Sequence, residues 1–281
     1  MAPTLTATSV PEIERWLGEL RDDEGAVLRT SVLTHVAWVP LEWERAAARV
    51  LEGMGPRIPS RTILLHPDPG AKTDGIDAAV ELECFPGPRQ NVCAEILRLW
   101  LRGATAGAPA SVIVPLQIPD LPAFLRWRGR PSFGSGVLDQ LVDVSDRLIV
   151  DSAEWGDRLR PAYRRLAAFF GRVVVTDLAW DRTLGYRAGL AELWPDIRRA
   201  RVLEVRGPRA EAVLLHAWLR TRLKKTIRLR RESGRSLSRV AVDGEPVRVP
   251  RRLVRSASDQ LSDQLEVYTR DRLYEAAVRA V

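Results

Sequence analysis

Arg61-Thr62-Ile63-Leu64-Leu65 is a short run in which apolar residues follow one another without polar alternation. A run of this kind fits a strand covered on both faces, as in a parallel sheet. Upstream, Ser31 to Val39 reads as a second strand through Val32, Leu33, Val36 and Trp38, and Leu41 to Gly53 as a helix closed by Gly53 and Gly55. Pro11 opens a short amphipathic helix with Ile13, Trp16, Leu17 and Leu20 on one face. Downstream, Ile76 to Phe85 alternates as a strand with Val80, Leu82 and Cys84 on one side. Arg89 to Arg102 reads as a helix with Val92, Ile96, Leu99 and Trp100 along one stripe. Strands follow at Ser111 to Pro115, Ala123 to Leu125, Arg147 to Val150 and Val173 to Val175, with a helix from Trp155 to Phe170.

Strands alternating with helices predict an α/β domain, a layered mixed sheet flanked by helices, over residues 1–175. A smaller α+β C-terminal domain is expected over residues 176–281. There Leu178 to Leu193 and Ala210 to Leu223 read as helices and Val202 to Val205 as a strand. Thr226 to Arg231, Ser236 to Val242 and Val247 to Val249 suggest a small meander turning at Asp243-Gly244. Gln264 to Val267 reads as a further strand and Arg270 to Val281 as a closing helix.

The charge is uneven. Residues 201–255 hold 16 basic and 5 acidic side chains, a net of +11, and the remaining residues sum to −4. One segment therefore carries the whole basic excess, which excludes a uniformly basic surface. Nucleic-acid binding through that segment is disfavoured because residues 219–267 contain no aromatic side chain on which bases could stack. The chain is 46% hydrophobic and 28% charged, as in folded soluble proteins. No apolar run approaches the roughly 20 residues that cross a bilayer, and Met1 to Val10 carries no leader pattern. A cytoplasmic location is expected. Two cysteines, Cys84 and Cys93, are too few for a disulfide framework and are expected to be reduced residues near the core.

Catalytic chemistry has few places to come from. His35, His66 and His216 have no second histidine or cysteine at metal-ligand spacing. No Walker loop, nicotinamide-binding glycine motif or nucleophile elbow is present, so no catalytic residue, metal ligand or cofactor-binding residue is assigned. Gly134-Ser135-Gly136 fits a turn better than an anion cradle. Asp120, Asp151 and Asp177 stand near probable strand ends, where open α/β sheets bind ligands, although aspartates there more commonly cap helices.

Several stretches together resemble the glucose-6-phosphate dehydrogenase assembly protein (OpcA) family. They are Val32-Leu33-Thr34 with Pro59 to Leu64, Val92-Cys93-Ala94-Glu95, and Pro115 to Pro122 leading to Arg126-Trp127-Arg128-Gly129. Asp146 to Ser152, Asp177-Leu178-Ala179-Trp180-Asp181-Arg182 with Tyr186-Arg187, and Ala217 to Leu223 follow in order. Arg126 departs from the family pattern where an aromatic is usual, Tyr186 replaces a Trp, and Lys224-Lys225 stand where a Gly and a Trp or small residue are common.

The resemblance implies a non-catalytic accessory protein that assembles or allosterically activates glucose-6-phosphate dehydrogenase in the oxidative pentose phosphate pathway. NADP-dependent hydride transfer would then belong to that partner. Asp120, Asp151, Ser152, Asp177, Trp180 and Arg187 are the candidate ligand-binding or structural residues. Arg228 and Arg230, two apart and hence on one side of a strand, are candidates for docking the partner. The alternative is an enzyme or sensor that binds a sugar phosphate or nucleotide at the strand ends near Asp120, Asp151 and Ser152.

Overall fold

A computed structural model describes residues 4–23, 31–51, 54, 58–85, 92–249 and 255–281. The chain divides into two compact units, Met1–Ile149 with Ser256–Tyr268 and Val150–Arg255 with Thr269–Val281.

The first unit contains β1 (Thr4–Thr8), α1 (Val10–Asp23), β2 (Thr34–Trp38), α2 (Glu44–Leu51), β3 (Arg61–Asp68) and β4 (Gly75–Phe85). It continues with β5 (Val92–Arg102), α3 (Pro109–Leu116), β6 (Ala123–Trp127), α4 (Val137–Asp143) and β7 (Arg147–Val150). These strands lie in the order β1-β4-β5-β3-β2-β6-β7 of a mixed sheet. Strands β5, β3, β2, β6 and β7 run parallel, and β4 joins β5 and β1 antiparallel. The expected α/β class with a layered mixed sheet holds. Ile63, Leu64 and Leu65 of β3 are all buried, because its neighbours on both edges are strands and both faces are covered.

The second unit contains α5 (Leu159–Leu166), β8 (Val174–Asp177), α6 (Leu178–Arg182), α7 (Leu184–Glu192), β9 (Val202–Gly207) and α8 (Arg209–Leu223). β10 (Arg228–Ser233), β11 (Arg239–Val242) and β12 (Glu245–Pro246) follow. Helix α9 (Ala257–Leu265) returns to the first unit, and α10 (Arg272–Arg279) belongs to the second. A four-stranded sheet runs β10-β9-β11-β12, with β10 parallel to β9 through the crossover helix α8. Leu203 and Val205 of β9 and Leu214, Leu215 and Trp218 of α8 are buried in this unit. Gly189 on α7 lets Val247 and Arg248 lie against the helix, since a Cβ there would run into the Arg248 carbonyl.

Several expectations are corrected. Residues 92–102 form strand β5, not a helix. Ala94, Ile96, Leu97, Leu99 and Leu101 are buried, so neither a two-residue nor a four-residue period stands out. Strand pairing then sets Cys84 opposite Cys93 with Cα atoms 4.0 Å apart, and the two form a disulfide rather than remaining reduced. Residues 111–115 lie in helix α3, where Pro109 occupies the first turn and Val112, Ile113 and Leu116 are buried, so packing outweighs the β-branched composition. Residues 264–265 end helix α9, whose Leu261 and Leu265 are buried, in place of the expected strand. The helix expected from Leu178 to Leu193 is broken at Thr183. β1 was not foreseen. Gly53, Gly55 and residues 89–91 of the expected helix lie outside the described residues. Among the described residues no helix is long and apolar enough to cross a membrane.

Candidate functional site

Five of the six candidate side chains meet in the second unit. Asp151 directly follows β7 and Asp177 ends β8, and each caps the helical turn after it, Asp151 through the Ala153 N–H (3.1 Å) and Asp177 through the Ala179 N–H (2.9 Å). Capping is the usual employment of an aspartate at such a position. These two do more. Asp177 Oδ1 also accepts from the Ser152 N–H at 3.0 Å, and the Tyr274 hydroxyl lies 3.4 Å from Oδ2. The Ser152 hydroxyl in turn accepts from the Tyr163 phenol at 2.7 Å.

Arg182 gathers the remaining carboxylates. Its two terminal nitrogens donate to both oxygens of Asp151, at 2.7 and 3.0 Å, and its Nε donates to Glu211 Oε1 at 2.7 Å. This paired fork is the geometry in which arginine binds carboxylates most strongly. Glu211 is a buried residue of α8, and its second oxygen has no hydrogen-bond partner among the described residues. Beyond Arg182, the Trp180 indole donates to Asp271 Oδ2 at 2.6 Å, and the Arg187 guanidinium lies 3.5 Å above the Trp180 ring. Arg187 also donates to the Thr183 hydroxyl at 3.0 Å, and Asp271 caps α10 at Leu273 and Tyr274. The short α6 thus links β8, α8 and α10 through side chains that are mostly buried.

Burial sets the electrostatics. It pushes the Asp177 carboxyl up from 3.8 to about 7, with the nearby Asp151 charge adding to the effect. Burial also raises Glu211, while Arg182 pulls it back. For Arg182 burial disfavours the charge, but Asp151 and Glu211 outweigh it and hold the guanidinium protonated. Burial moves the Tyr163 and Tyr274 phenols well above their ordinary value, so both stay protonated hydrogen-bond donors. Asp177 is 1% exposed, and the Ser152 and Ala179 N–H groups and the Tyr274 hydroxyl surround its carboxyl.

Asp120, the sixth candidate, is exposed in the first unit, in a left-handed turn residue with φ 64°. His35 is buried in β2, and burial lowers it to about 4, the charge of Arg126 contributing. His216 is half-buried on α8, with Nε2 2.6 Å from the Ile227 carbonyl. Among the described residues no group of three or more His, Cys, Asp or Glu side chains could hold a metal ion. Arg182, Glu211, Tyr163 and Tyr274 are members of the cluster that sequence reasoning missed. Arg182 could have been found, because it closes the Asp177 to Arg182 motif, whereas the others come from distant helices and leave no local signal.

Arg228 and Arg230 lie on β10 at the end of the four-stranded sheet, and both are exposed. Arg230 comes within 3.5 Å of Glu204 on β9. Ile227 just before the strand is buried, and Leu229 is half-buried, between the two arginines.

Residues 55–167 match the family model described as "Glucose-6-phosphate dehydrogenase subunit N-terminal domain". Three relatives carry the name "Putative OxPP cycle protein OpcA". The one from Nostoc punctiforme is 28% identical, over 66% of this chain and 43% of its own length. The one from Synechocystis is 25% identical, over 79% of this chain and 49% of its own length. The chain spans about half the length of the curated relatives it matches. These matches bear out the resemblance read from the motifs.

Proposed function

We propose, with the OpcA-family segment at residues 55–167 as premise, that this chain is a non-catalytic accessory protein that assembles or activates glucose-6-phosphate dehydrogenase. The observation that carries this reading is the family match itself, whose description names a subunit of that dehydrogenase. The buried cluster supports it from the side of chemistry. Asp151 and Asp177 spend their oxygens on helix caps, Arg182 and the Tyr274 hydroxyl, and Glu211 gives one oxygen to Arg182, which suits a framework better than a reacting centre. The pathway would be the oxidative pentose phosphate route named for the relatives.

The basic sheet is the docking surface in this reading. Residues 201–255 hold a net charge of +11, and Arg228 and Arg230 stand exposed on its outermost strand. Charge complementarity of this kind governs encounter rate and register more than final affinity.

The test mixes the purified chain with its cognate dehydrogenase. The chain alone should neither oxidise glucose 6-phosphate nor reduce NADP, and the mixture should differ from the dehydrogenase alone in rate or apparent substrate affinity. Co-purification of the two from the native host is the companion measurement. Arg228→Glu with Arg230→Glu should slow association by about tenfold at low salt and flatten its ionic-strength dependence. Unchanged rates and salt slopes would remove β10 from the interface.

A further inference from the structure

A groove of about 610 Å³ in the second unit is lined by no member of the buried cluster and by neither Arg228 nor Arg230, although Leu229 and Arg231 of the same strand belong to its wall. Its charged lining is Arg158 and Arg160 from the start of α5, Arg209 from the start of α8, Arg231 from β10, and Asp157. Leu159 and Val213 supply apolar surface beneath them. Four guanidinium groups therefore converge on one concavity, and a single carboxylate opposes them.

Two of the four arginines are held in place. Arg209 pairs with Asp157 at 3.0 Å, and that aspartate side chain is 87% exposed. Arg231 donates to the Gly207 carbonyl at 3.0 Å and to the Ser233 hydroxyl at 3.1 Å. The other two, Arg158 and Arg160, are exposed, with neither a hydrogen-bond nor an ion-pair partner among the described residues. Like charges gathered without counter-charges repel one another, and an anion removes that repulsion while using their idle donors. Neither α5 nor α8 has a side-chain cap at its first turn, which adds to the positive field.

We propose that this groove binds a small phosphate-bearing metabolite, with Arg158 and Arg160 on the phosphate and Arg209 and Arg231 completing the site. Arginine forks match phosphate oxygens in pairs. The volume lies within the range of small-molecule sites, roughly 300 to 1,000 Å³, and the apolar floor accepts the carbon skeleton. No aromatic side chain lines the groove, so a stacked nucleic-acid strand is not its natural occupant.

The experiment is calorimetric titration of the full chain with pyrophosphate, glucose 6-phosphate and AMP, with glucose and adenosine as unphosphorylated controls. The three phosphate-bearing probes separate a free phosphate, a sugar phosphate and a nucleotide as the source of the anion. At least one should bind at submillimolar concentration, and neither control should bind. Arg158→Ala and Arg160→Ala should each weaken binding about tenfold, with unchanged melting temperature because both side chains are exposed. Arg228→Ala with Arg230→Ala should leave binding as it is. The dehydrogenase is absent throughout, so the result is independent of the accessory reading. The proposal is overturned if no probe binds, if binding survives the paired loss of Arg158 and Arg160, or if polyglutamate binds there and the phosphates do not.

Discussion

Replacing Asp177 by asparagine isolates the cost of ionising a buried carboxyl in the second unit. In the folded chain that carboxyl titrates at about 7, against 3.8 when unperturbed. Below about pH 4 it is protonated in both folded and unfolded chains and contributes nothing to pH dependence. Between about pH 4 and 7 the unfolded chain has released the proton and the folded chain still holds it, so stability falls as pH rises. Above 7 the loss is complete, and a gap of about three pH units corresponds to about 4 kcal/mol. Asparagine keeps an oxygen for the Ser152 and Ala179 N–H groups and offers an amide toward Tyr274, but it cannot ionise. The variant should be more stable by about 1 to 2 kcal/mol at pH 5, where the unfolded chain has already released the proton, and by up to about 4 kcal/mol at pH 9. Urea unfolding of both at pH 5, 7 and 9 reads this directly, because other titrating groups are common to the pair and cancel. A difference that stays constant across that range would refute the reasoning.

In the first unit, Glu95 is buried between Arg61 and Arg21, at 2.6 Å from each. Glu95→Ala leaves Arg61 charged and buried with only the part-exposed Glu14 carboxylate, 3.3 Å away, to oppose it, and should cost about 3 to 5 kcal/mol in urea unfolding; a cost below 1 kcal/mol would show that the pair contributes little. The Cys84–Cys93 bond closes a loop of sequence separation 9 between β4 and β5. Its reduction, or Cys84→Ser with Cys93→Ser, should remove about 2 to 3 kcal/mol and lower the melting temperature. An identical melting temperature with and without reductant would refute this.

The class of the fold was legible because β3 and β7 are short, apolar and bounded by turn residues, a pattern that survives without knowledge of their neighbours. β5 was not, because it is covered on both faces and its buried residues follow one another too closely for either period to dominate. That one misreading also concealed the disulfide, since Cys93 faces Cys84 only when residues 92–102 are extended. α3 failed differently: its Val112-Ile113-Val114 run favours a strand locally, and burial of Val112, Ile113 and Leu116 on the helix decides otherwise. For the candidate site, Asp151 and Asp177 could be picked out as strand-end aspartates. Glu211 and Tyr274 could not, because they reach Arg182 and Asp177 from helices 29 and 97 residues away in sequence.

The return of α9 to the first unit has a consequence for the order in which the protein is made. Ser258 donates to the Val50 carbonyl at 2.8 Å, and Leu261, Ser262 and Leu265 are buried beside it in that unit. A ribosome delivers β2, α2 and β3 some two hundred residues before it delivers the helix that belongs with them. At translation rates of about 5 to 20 residues per second, the first unit waits roughly 10 to 40 seconds with that part of its apolar surface open to water. Over that interval the second unit emerges as far as residue 255, and it in turn waits for α10, which follows α9 in the chain. Chaperone dependence during synthesis should therefore attach to the N-terminal half, and it should end only when residues 256–268 have cleared the exit tunnel.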